Sequence, residues 1–412
     1  MTDGSRRAAA GLVLGLLLTT FPAPAEDAKI LDLAIGDAAR KERQAPLVLD
    51  GVTDTRTGEL LTPAELAARL SGVRLLLVGE SHTSAESHRV QLAALEALVA
   101  AGRRPTVGLE MFPGGTRLDF GPWRRGEETE EAFVERIGWF EHWGYNWGYY
   151  REIFLFAKEH DLPVIGLNAP RAAVTAVRSK GFAGLTEAER VGLPERIDTT
   201  SDDHRTLLRA FFGADDPTHS VSDDLFGRMV ESQTTWDGTM AHQAIAPLAT
   251  APAEAIVVVL VGSGHVIYDV GIARQARAYG FTGAIASLVP VPIRDDEDQP
   301  VTQVRASYAD FLWGVAAEPE TRYPEIGLST TELKRPDGTT RRKILFLDPE
   351  SRAAKAGLAA GDVLLTVDGI DVPDRPALNR ALTRKRWGDR VIVEVERGTE
   401  RLRYEIVLRR EP

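Results

Sequence analysis

Between residues 71 and 286, short apolar runs alternate with segments of helical periodicity. The apolar runs are Val73–Val78, Pro105–Leu109, Leu162–Leu167 and Ala255–Val261. A helical period follows the first run as far as Gly102, precedes the third over Glu152–His160, and follows the fourth over about Asp269–Tyr279. Continuous apolar strands that alternate with helices are typical of a parallel sheet covered on both faces. The pattern therefore predicts an α/β domain with a mainly parallel sheet and helices on both of its faces.

Polar residues directly follow each predicted strand. The four strand ends carry Gly79-Glu80-Ser81-His82, Glu110-Met111-Phe112, Asn168-Ala169-Pro170-Arg171 and Gly262-Ser263-Gly264-His265. In open α/β sheets, ligands bind outside the carboxyl ends of the strands. If these strands are neighbours, His82, Glu110, Asn168 and His265 converge on one crevice. Because an unpaired carboxylate next to a buried strand would be costly, Glu80 and Glu110 are each expected to have a partner or a ligand.

Other polar positions have two interpretations. Thr83 and Glu86 have capping-box spacing, which favours a helix start over a ligand role for Glu86. His88 lies one turn into that helix and faces either the crevice or water. Asp237, on a helix predicted over Leu225–Ile245, is either a pocket carboxylate or the partner of an arginine, and the pocket is favoured. The remaining histidines lack ligand spacing and are interpreted as surface or capping residues; they include His142, His160, His204 and His219.

The segment Trp139–Tyr150 is unusually aromatic. Aromatic side chains most often belong to a core. Alternatively, the segment is the wall of a pocket for a flat apolar ligand, and Tyr149 or Tyr150 supplies a phenolate ligand to iron.

Composition narrows the chemistry of the chain. Among its 412 residues there is no cysteine, which excludes disulfides, thiolate metal sites and iron–sulfur clusters. The net charge of −11 argues against nucleic-acid binding. Arg6 and Arg7, an apolar stretch over Ala8–Thr20 and Ala23-Pro24-Ala25 form the pattern of a cleaved signal peptide. We therefore expect a signal peptide over residues 1–25, a secreted or periplasmic protein, and no integral membrane segment after cleavage.

Residues 26–72 are interpreted as an N-terminal extension, with a hairpin near Leu47–Leu61. The α/β domain is expected to span residues 73–316.

Residues 320–412 resemble a bacterial-type PDZ domain, which implies a small mixed β/α fold. Tyr323-Pro324-Glu325-Ile326-Gly327-Leu328 stands where the carboxylate-binding loop belongs, and Ser351–Leu364 with Val367-Asp368-Gly369 also fits the family pattern. The resemblance implies that a peptide C-terminus pairs with the strand after Gly327. A helix over about Arg375–Lys385 would line the groove, and the implied peptide-binding residues are Ile326, Gly327, Leu328, Leu378 and Leu382. Alternatively, the domain only packs on its neighbour or mediates self-association.

The strand-end motifs together resemble the ChaN-like haem-binding uptake proteins of the Tiki superfamily. The resemblance rests on Leu77–His82 with His88 and Gln91, Gly108–Phe112, Val164–Pro170, Asp237–Ala241 and Gly262–His265, in that order. It implies haem or iron binding outside the cytoplasm. The implied cofactor-binding residues are Glu80, His82, His88, Glu110, Asn168, Asp237 and His265, with Tyr149 or Tyr150 as an axial ligand. Family members are often lipoproteins, but this chain has no lipobox cysteine, so a soluble exported form is implied. A flat ligand shared between two subunits of a homodimer is a further option.

The superfamily resemblance leaves a second function open. Relatives with the same Gly-x-x-His and Glu motifs resemble metal-dependent proteases and esterases. In that case His82, His265 and Glu110 would hold a divalent metal ion, and Glu80 and Glu110 would act in hydrolysis.

Overall fold

The computed structural model describes residues 28–211, 222–293, 301–318 and 320–410. The strands are β1 (Gln44–Pro46), β2 (Val52–Asp54), β3 (Leu60–Leu61), β4 (Val73–Glu80), β5 (Thr106–Pro113), β6 (Val164–Asn168), β7 (Val257–Gly262), β8 (Ala284–Ile293), β9 (Gln303–Arg305), β10 (Phe311–Ala316), β11 (Leu328–Lys334), β12 (Thr340–Leu347), β13 (Val363–Val367), β14 (Ile370–Asp371), β15 (Arg390–Arg397) and β16 (Glu400–Val407). The helices are α1 (Ala28–Leu31), α2 (Pro63–Arg69), α3 (Ala85–Ala100), α4 (Gly121–Arg124), α5 (Glu130–Arg136), α6 (Trp139–His142), α7 (Arg151–Glu159), α8 (Arg171–Lys180), α9 (Asp202–Phe211), α10 (Asp223–Ile245), α11 (Ile272–Ala278), α12 (Arg352–Lys355) and α13 (Arg375–Leu382). Short 3-10 helices lie at Trp147–Tyr149, Ala188–Arg190, Ala246–Leu248, Ser263–His265 and Ile267–Asp269.

One compact unit contains the described residues of 28–133 and 148–318 and is built on a mixed sheet. Its strand order is β3-β2-β10-β8-β4-β7-β5-β6. All neighbours from β10 to β6 are parallel, whereas β2 pairs antiparallel with both β10 and β3. β4 and β7 are buried along most of their length, as apolar strands covered on both faces must be. The predicted α/β fold with a mainly parallel sheet is confirmed.

Two of the three strands before β4 belong to the same sheet. β2 and β3 form a two-strand hairpin inside the segment predicted to contain one, and β2 joins the sheet through β10. β1 pairs with β9 in a separate two-stranded ladder. Residues 1–25, predicted as a signal peptide, lie outside the described residues, and so does His219. Within the described ranges, the chain has no helix that is both long and apolar enough to cross a bilayer.

A second compact unit contains residues 134–147 together with the described residues from 320 onward. Its sheet has the order β11-β12-β13-β15-β16, with β14 paired to β13, and all of these pairs are antiparallel. An apolar core that includes Ile344, Leu364, Leu378, Val391 and Ile406 fills it. In the described residues, β11 pairs only with β12, so the outer edge of β11 is the edge of the sheet. The predicted small β/α domain is confirmed.

Two helices begin at positions that differ from the prediction. Helix α3 is capped by Ser84, whose hydroxyl accepts a hydrogen bond from the Ser87 amide at 3.1 Å, so the predicted Thr83–Glu86 box is wrong. Several polar residues in a row offered competing caps there. Helix α11 begins at Ile272 rather than near Asp269, because Tyr268 and Asp269 have φ values of 60° and 58°. A residue in the left-handed region cannot belong to a right-handed helix.

Candidate site at the carboxyl ends of the sheet

The four predicted strands lie side by side in the order β4-β7-β5-β6, and their carboxyl ends form one edge. Glu80 is in register with Gly262, and Leu109 with Leu260, so Glu110 lies one residue beyond a β7 partner. The Gly262 amide donates a hydrogen bond of 2.8 Å to Oε2 of Glu110. The adjacency that the sequence pattern requires is therefore present, and it places Glu80, Glu110 and Gly262 at one edge of the sheet.

Glu80 is the most heavily bonded group of this edge. Its Oε1 accepts hydrogen bonds from the Tyr150 hydroxyl at 2.6 Å and from His82 Nδ1 at 2.7 Å. Its Oε2 accepts a third from Gln91 Nε2 at 2.6 Å. Burial raises the pKa of Glu80, but the imidazoles of His88 and His82 and the Tyr150 hydroxyl outweigh burial and hold the pKa at about 2. Glu80 is therefore an ionised carboxylate that organises the side chains around it.

Glu80 fixes the orientation of the His82 ring. Because Glu80 is ionised, it accepts a hydrogen bond from Nδ1–H of His82. In a neutral ring, Nε2 of His82 then carries the lone pair. The side chain of His82 is 18% exposed, whereas that of Glu80 is 1% exposed. A carboxylate that holds one imidazole nitrogen and leaves the other as an acceptor is the usual second layer of a histidine ligand.

His265, in the 3-10 helix that follows the neighbouring strand β7, has a similar arrangement. Its Nδ1 lies 2.5 Å from Oδ1 of Asp237, and its Nε2 lies 3.8 Å from Oε1 of Glu110. Burial lowers the pKa of His265, but the carboxylates of Asp237 and Glu110 raise it overall. His265 thus lies between two acidic groups, one behind it in the interior and one at the sheet edge.

The amide of Gln233 completes the surroundings of His265. Its Nε2 lies 2.9 Å from His265 Nδ1, while its buried Oε1 has no hydrogen-bond partner. His265 Nδ1 donates its proton to Asp237, so it cannot also accept a hydrogen bond from Nε2 of Gln233. Exchanging the amide oxygen and nitrogen of Gln233, which have nearly the same shape, removes both conflicts. The exchanged amide accepts from Nδ1–H together with Asp237.

His82 and Glu110 lie beside the same glycine. A Cβ atom on Gly262 would be 3.2 Å from Cε1 of His82 and 3.6 Å from Oε2 of Glu110. Because His265 Nε2 lies 3.8 Å from Oε1 of Glu110, two imidazoles, each oriented by a buried carboxylate, lie near Glu110. This donor set can ligate iron or another borderline metal through nitrogen, and it can pass protons between the histidines and Glu110.

The two tyrosines and His88 lie behind Glu80. The ring centroid of His88 is 4.2 Å from that of Tyr150 and 5.6 Å from that of Tyr149. His88 is buried rather than turned to water, and its Nδ1 donates to Gln91 at 3.0 Å. Tyr149 and Tyr150 are also buried. Because the Tyr150 hydroxyl donates to Glu80, Tyr150 would have to break this bond in order to act as an axial ligand.

Asn168 and Asp237 occupy different positions. Asn168 Nδ2 donates to the Glu110 carbonyl at 2.8 Å, and its buried Oδ1 has no hydrogen-bond partner. Asp237 is fully buried and is separated from the sheet edge by His265. Of the predicted residues, Asn168 therefore contacts the edge directly and Asp237 acts through His265.

The sequence analysis gave no site role to three residues of this network, although it named Gln91 as part of a motif. Gln91 holds Glu80, Gln233 holds His265, and His204 lies with its Nε2 3.3 Å from Oδ2 of Asp237. The interpretation of His204 as a surface or capping residue is wrong, because its side chain is 1% exposed. Gln233 stands four residues before Asp237 and Gln91 three after His88, so helical spacing was the available signal. His204 offered no such signal.

Within the part of the chain that the structure describes, no three His, Asp or Glu side chains are grouped so that they could hold a metal ion. The ligand set His82, His265 and Glu110 is thus not assembled as a metal site. Haem makes a different demand, since its iron needs one or two axial ligands from the protein. The oriented imidazoles and the neighbouring aromatic rings fit that demand.

The predicted peptide groove lies in the second unit. Ile326 and Leu378 are buried in its core, and Leu328 and Leu382 pack partly buried against it. Gly327 has φ of +72°, and a Cβ atom there would be 2.4 Å from Cβ of Ser351. The loop before β11 therefore requires glycine, as a carboxylate-binding loop of close-packed amides does.

Comparison with known proteins agrees with this architecture. A model of the family described as "Haem-binding uptake, Tiki superfamily, ChaN" matches residues 66–275, and a PDZ domain model matches residues 324–408. The chain belongs to the ChaN family of haem-binding uptake proteins in the Tiki superfamily, and it also carries a PDZ domain. No curated protein sequence matches it.

Solved structures resemble each part. One, "Cofacial heme binding to ChaN of Campylobacter jejuni", has 17% identity and a TM-score of 0.49, and the match covers 65% of this chain and 98% of that chain. The HtrA-type protease AlgW with a decapeptide has 25% identity and a TM-score of 0.19 over 22% of this chain and 30% of that chain. The HtrA3 PDZ domain with a phage-derived ligand has 21% identity and a TM-score of 0.18 over 20% of this chain and 83% of that chain. This chain thus spans about a third of the length of AlgW.

Proposed function

We propose that this chain is an exported haem-binding protein whose PDZ domain recruits a protein through its C-terminal peptide. The observation that carries the haem site is the pair of imidazoles, His82 and His265, each held through Nδ1 by a buried carboxylate at the same edge of the sheet. His82 is the more exposed of the two, so it supplies the axial ligand, and His265 and Glu110 form the polar wall beside it. Bound haem would supply an iron centre and a strong visible absorption.

A haemin titration of the purified mature chain tests the site. We expect saturable binding with a shifted Soret band, and we expect His82→Ala to weaken binding roughly tenfold or more, as loss of a metal ligand does. His160→Ala is the matched control, because His160 is an exposed histidine on the helix that ends at Glu159. Equal binding by the His82 and His160 variants would reject the assignment of His82.

The same titration separates the alternatives for the ligand and the assembly. Magnetic circular dichroism distinguishes imidazole from phenolate ligation, so a phenolate spectrum that disappears in Tyr149→Phe would move the ligand to the tyrosine. Light scattering after gel filtration, with and without haemin, tests whether two copies share the ligand. A mass that does not change on saturation would reject a haem-bridged homodimer.

The peptide site is supported by the outer edge of β11, which pairs only with β12 in the described residues, and by the partly buried apolar side chain of Leu382 on α13. Strand addition requires the free carboxylate of the peptide, because amides of the loop bind it. A library of fluorescent pentapeptides with apolar C-termini should therefore bind as free acids and not as amides. Leu382→Glu should weaken the best peptide about tenfold or more, which equals about 1.4 kcal/mol. Equal binding of acids and amides would reject the groove.

Export is supported by the sequence of residues 1–25 alone. Expression of the full chain in a bacterium, followed by mass spectrometry of the periplasmic fraction, should give a mature protein that begins at Glu26. Recovery of the uncleaved chain from the cytoplasm would reject export.

A further inference from the structure

His204 lies behind the candidate site, in a buried polar contact with Asp237. It belongs to helix α9, whose start is marked by a hydrogen bond of 3.1 Å from the His204 amide to Oγ of Ser201. Its Nε2 lies 3.3 Å from Oδ2 of Asp237, and the side chains are 1% and 0% exposed. Its Nδ1 lies 3.5 Å from Oγ1 of Thr234, which is on the same helix as Asp237.

His204 Nε2 and Asp237 Oδ2 are both buried and lie 3.3 Å apart, but neither makes a hydrogen bond of good geometry in the described structure. Leaving a buried donor or acceptor unsatisfied costs roughly 1–3 kcal/mol, and more for a charged group. The two atoms can satisfy each other only if Nε2 of His204 carries a proton.

The surroundings of His204 set this tautomer. The Thr234 hydroxyl can donate to Nδ1, which makes Nδ1 the acceptor and Nε2 the donor of a neutral ring. Burial lowers the pKa of His204 to about 4, so the ring is neutral at physiological pH. In this tautomer the four groups can form a chain, in which Thr234 donates to His204, and His204 and His265 donate to opposite oxygens of Asp237.

We propose that His204 is a positioning residue for the candidate haem site: it fixes the Asp237 carboxylate, and through it holds His265 in the tautomer that carries the proton on Nδ1. This inference rests on the proposed function only for its effect on haem; the tautomer itself is a property of the protein without ligand. His265 then presents Nε2 towards Glu110. Removal of the His204 donor leaves one oxygen of Asp237 buried and unpaired, so Asp237 shifts or rotates and releases His265.

The tautomer can be measured directly on the full mature chain without haemin, at a pH above the raised pKa of His265, where the ring is neutral. ¹⁵N spectra of protein labelled at histidine distinguish Nδ1–H from Nε2–H rings, and the His265 signals are assigned by their loss in His265→Asn. We expect Nδ1–H in the wild type and in His204→Gln, whose amide nitrogen can replace Nε2 as the donor. We expect a mixture of tautomers, or exchange broadening, in His204→Leu. An unchanged His265 tautomer in a folded His204→Leu protein would overturn the proposal.

A second pair of variants keeps the test decisive if His204→Leu does not fold. Thr234→Val removes the hydroxyl that orients His204 at almost constant volume, and Thr234→Ser retains the hydroxyl as the control. We expect His204 and His265 to change tautomer in the valine variant and not in the serine variant. Identical spectra for the two variants would contradict the proposal.

Haemin binding then separates this inference from the proposed function. We expect His204→Leu to weaken haemin roughly fivefold and His204→Gln to restore wild-type affinity, since a residue one step removed from the ligand should act below the tenfold to 100-fold range of direct second-layer partners. If the wild type binds no haemin but the tautomer responds as described, the proposed function fails and the positioning role stands. If the wild type binds haemin and all His204 variants bind it equally, the role in the haem site is overturned.

Discussion

Gly79 shows how closely β4 approaches the 3-10 helix that follows β7 at the candidate site. A Cβ atom at this position would lie 2.6 Å from Oγ and 3.3 Å from Cα of Ser263. The residue precedes Glu80, so any displacement of β4 here also moves the carboxylate that orients His82. The absence of a side chain at residue 79 is therefore part of the site geometry.

Gly79→Ala should destabilise the protein by about 1–3 kcal/mol, the usual range for a core that receives an extra methyl group. Ser263→Ala in the same chain removes the closest atom and should recover part of the loss. Gly72→Ala is the control, because no atom lies within 4 Å of its Cβ position. Urea unfolding of the four proteins measures the effect, and an equal midpoint for the residue 72 and residue 79 variants would contradict it.

The residues of the site were predictable to different degrees. Glu80, His82, Glu110 and His265 could be recognised because each follows a continuous apolar strand, and the carboxyl ends of parallel strands share an edge. His204 could not, because its contact with Asp237 depends on how α9 packs against α10. A pattern of apolar positions indicates which face of a helix is buried, but it does not specify which polar group of another helix meets that face.

At the scale of elements, helix α13 is held on one side by the segment 134–147. Asn379 Nδ2 donates to the carbonyls of Phe140 and Trp143 at 2.9 and 3.2 Å. The Arg380 and Arg384 guanidiniums lie over the Phe140 ring, 5.1 and 5.0 Å from its centroid. Both arginines also bond Glu135, Arg380 at 2.8 Å and Arg384 at 2.9 Å. The aromatic segment predicted as a core or a pocket wall thus supplies part of the support for the predicted groove helix.

Loss of the Glu135 charge should loosen α13. Hydrogen bonding to Arg380 holds the pKa of Glu135 below its ordinary value. The stabilisation of α13 by ionised Glu135 is therefore fully present at pH values above the ordinary pKa of a glutamate. It is lost as the pH falls through the lowered pKa of Glu135 in the folded protein. Because Glu135 is partly exposed, the effect should be roughly 0.3–1 kcal/mol and should decrease at high salt.

Hydrogen exchange of the α13 amides, corrected for the intrinsic rate at each pH, measures this. Glu135→Gln should exchange faster than the wild type at neutral pH, and the difference should vanish in acid. Glu131→Gln, on the same helix α5, is the control. A difference between Glu135→Gln and wild type that persists at pH 2 would show that the charge is not the cause.

At the scale of the whole chain, the hydrophobic pattern was sufficient to predict the strands at the centre of the large sheet but not the strands at its β2–β3 edge. β4 to β7 are continuous apolar runs, which identified them as buried parallel strands, but their order β4-β7-β5-β6 was not predicted. β2 and β3 have only three and two residues, and β2 pairs with a strand more than two hundred residues later. Such pairings between distant segments leave no local signal, so residues 26–72 were interpreted as an extension with a hairpin, and the pairing of that hairpin with β10 was not predicted.

Deletion of residues 320–412 should expose the segment 134–147. In the full chain, α13 covers Phe140 and Trp143 through the contacts described above. Limited proteolysis should therefore cut the truncated protein within this segment at a protease concentration that leaves it intact in the full chain. Equal cleavage rates at this segment in both proteins would contradict the expectation.

The second unit is built from two separate parts of the chain, which limits how it can be exchanged between genes. A recombination event that copied only the last ninety or so codons would transfer a PDZ fold without the segment 134–147, which supports its groove helix. That segment is encoded nearly two hundred codons upstream, inside the gene segment for the haem-binding domain. Exchange of PDZ modules between homologous genes should therefore succeed mainly when Glu135, Phe140 and their counterparts on α13 are replaced together, and a grafted module needs both pieces of sequence.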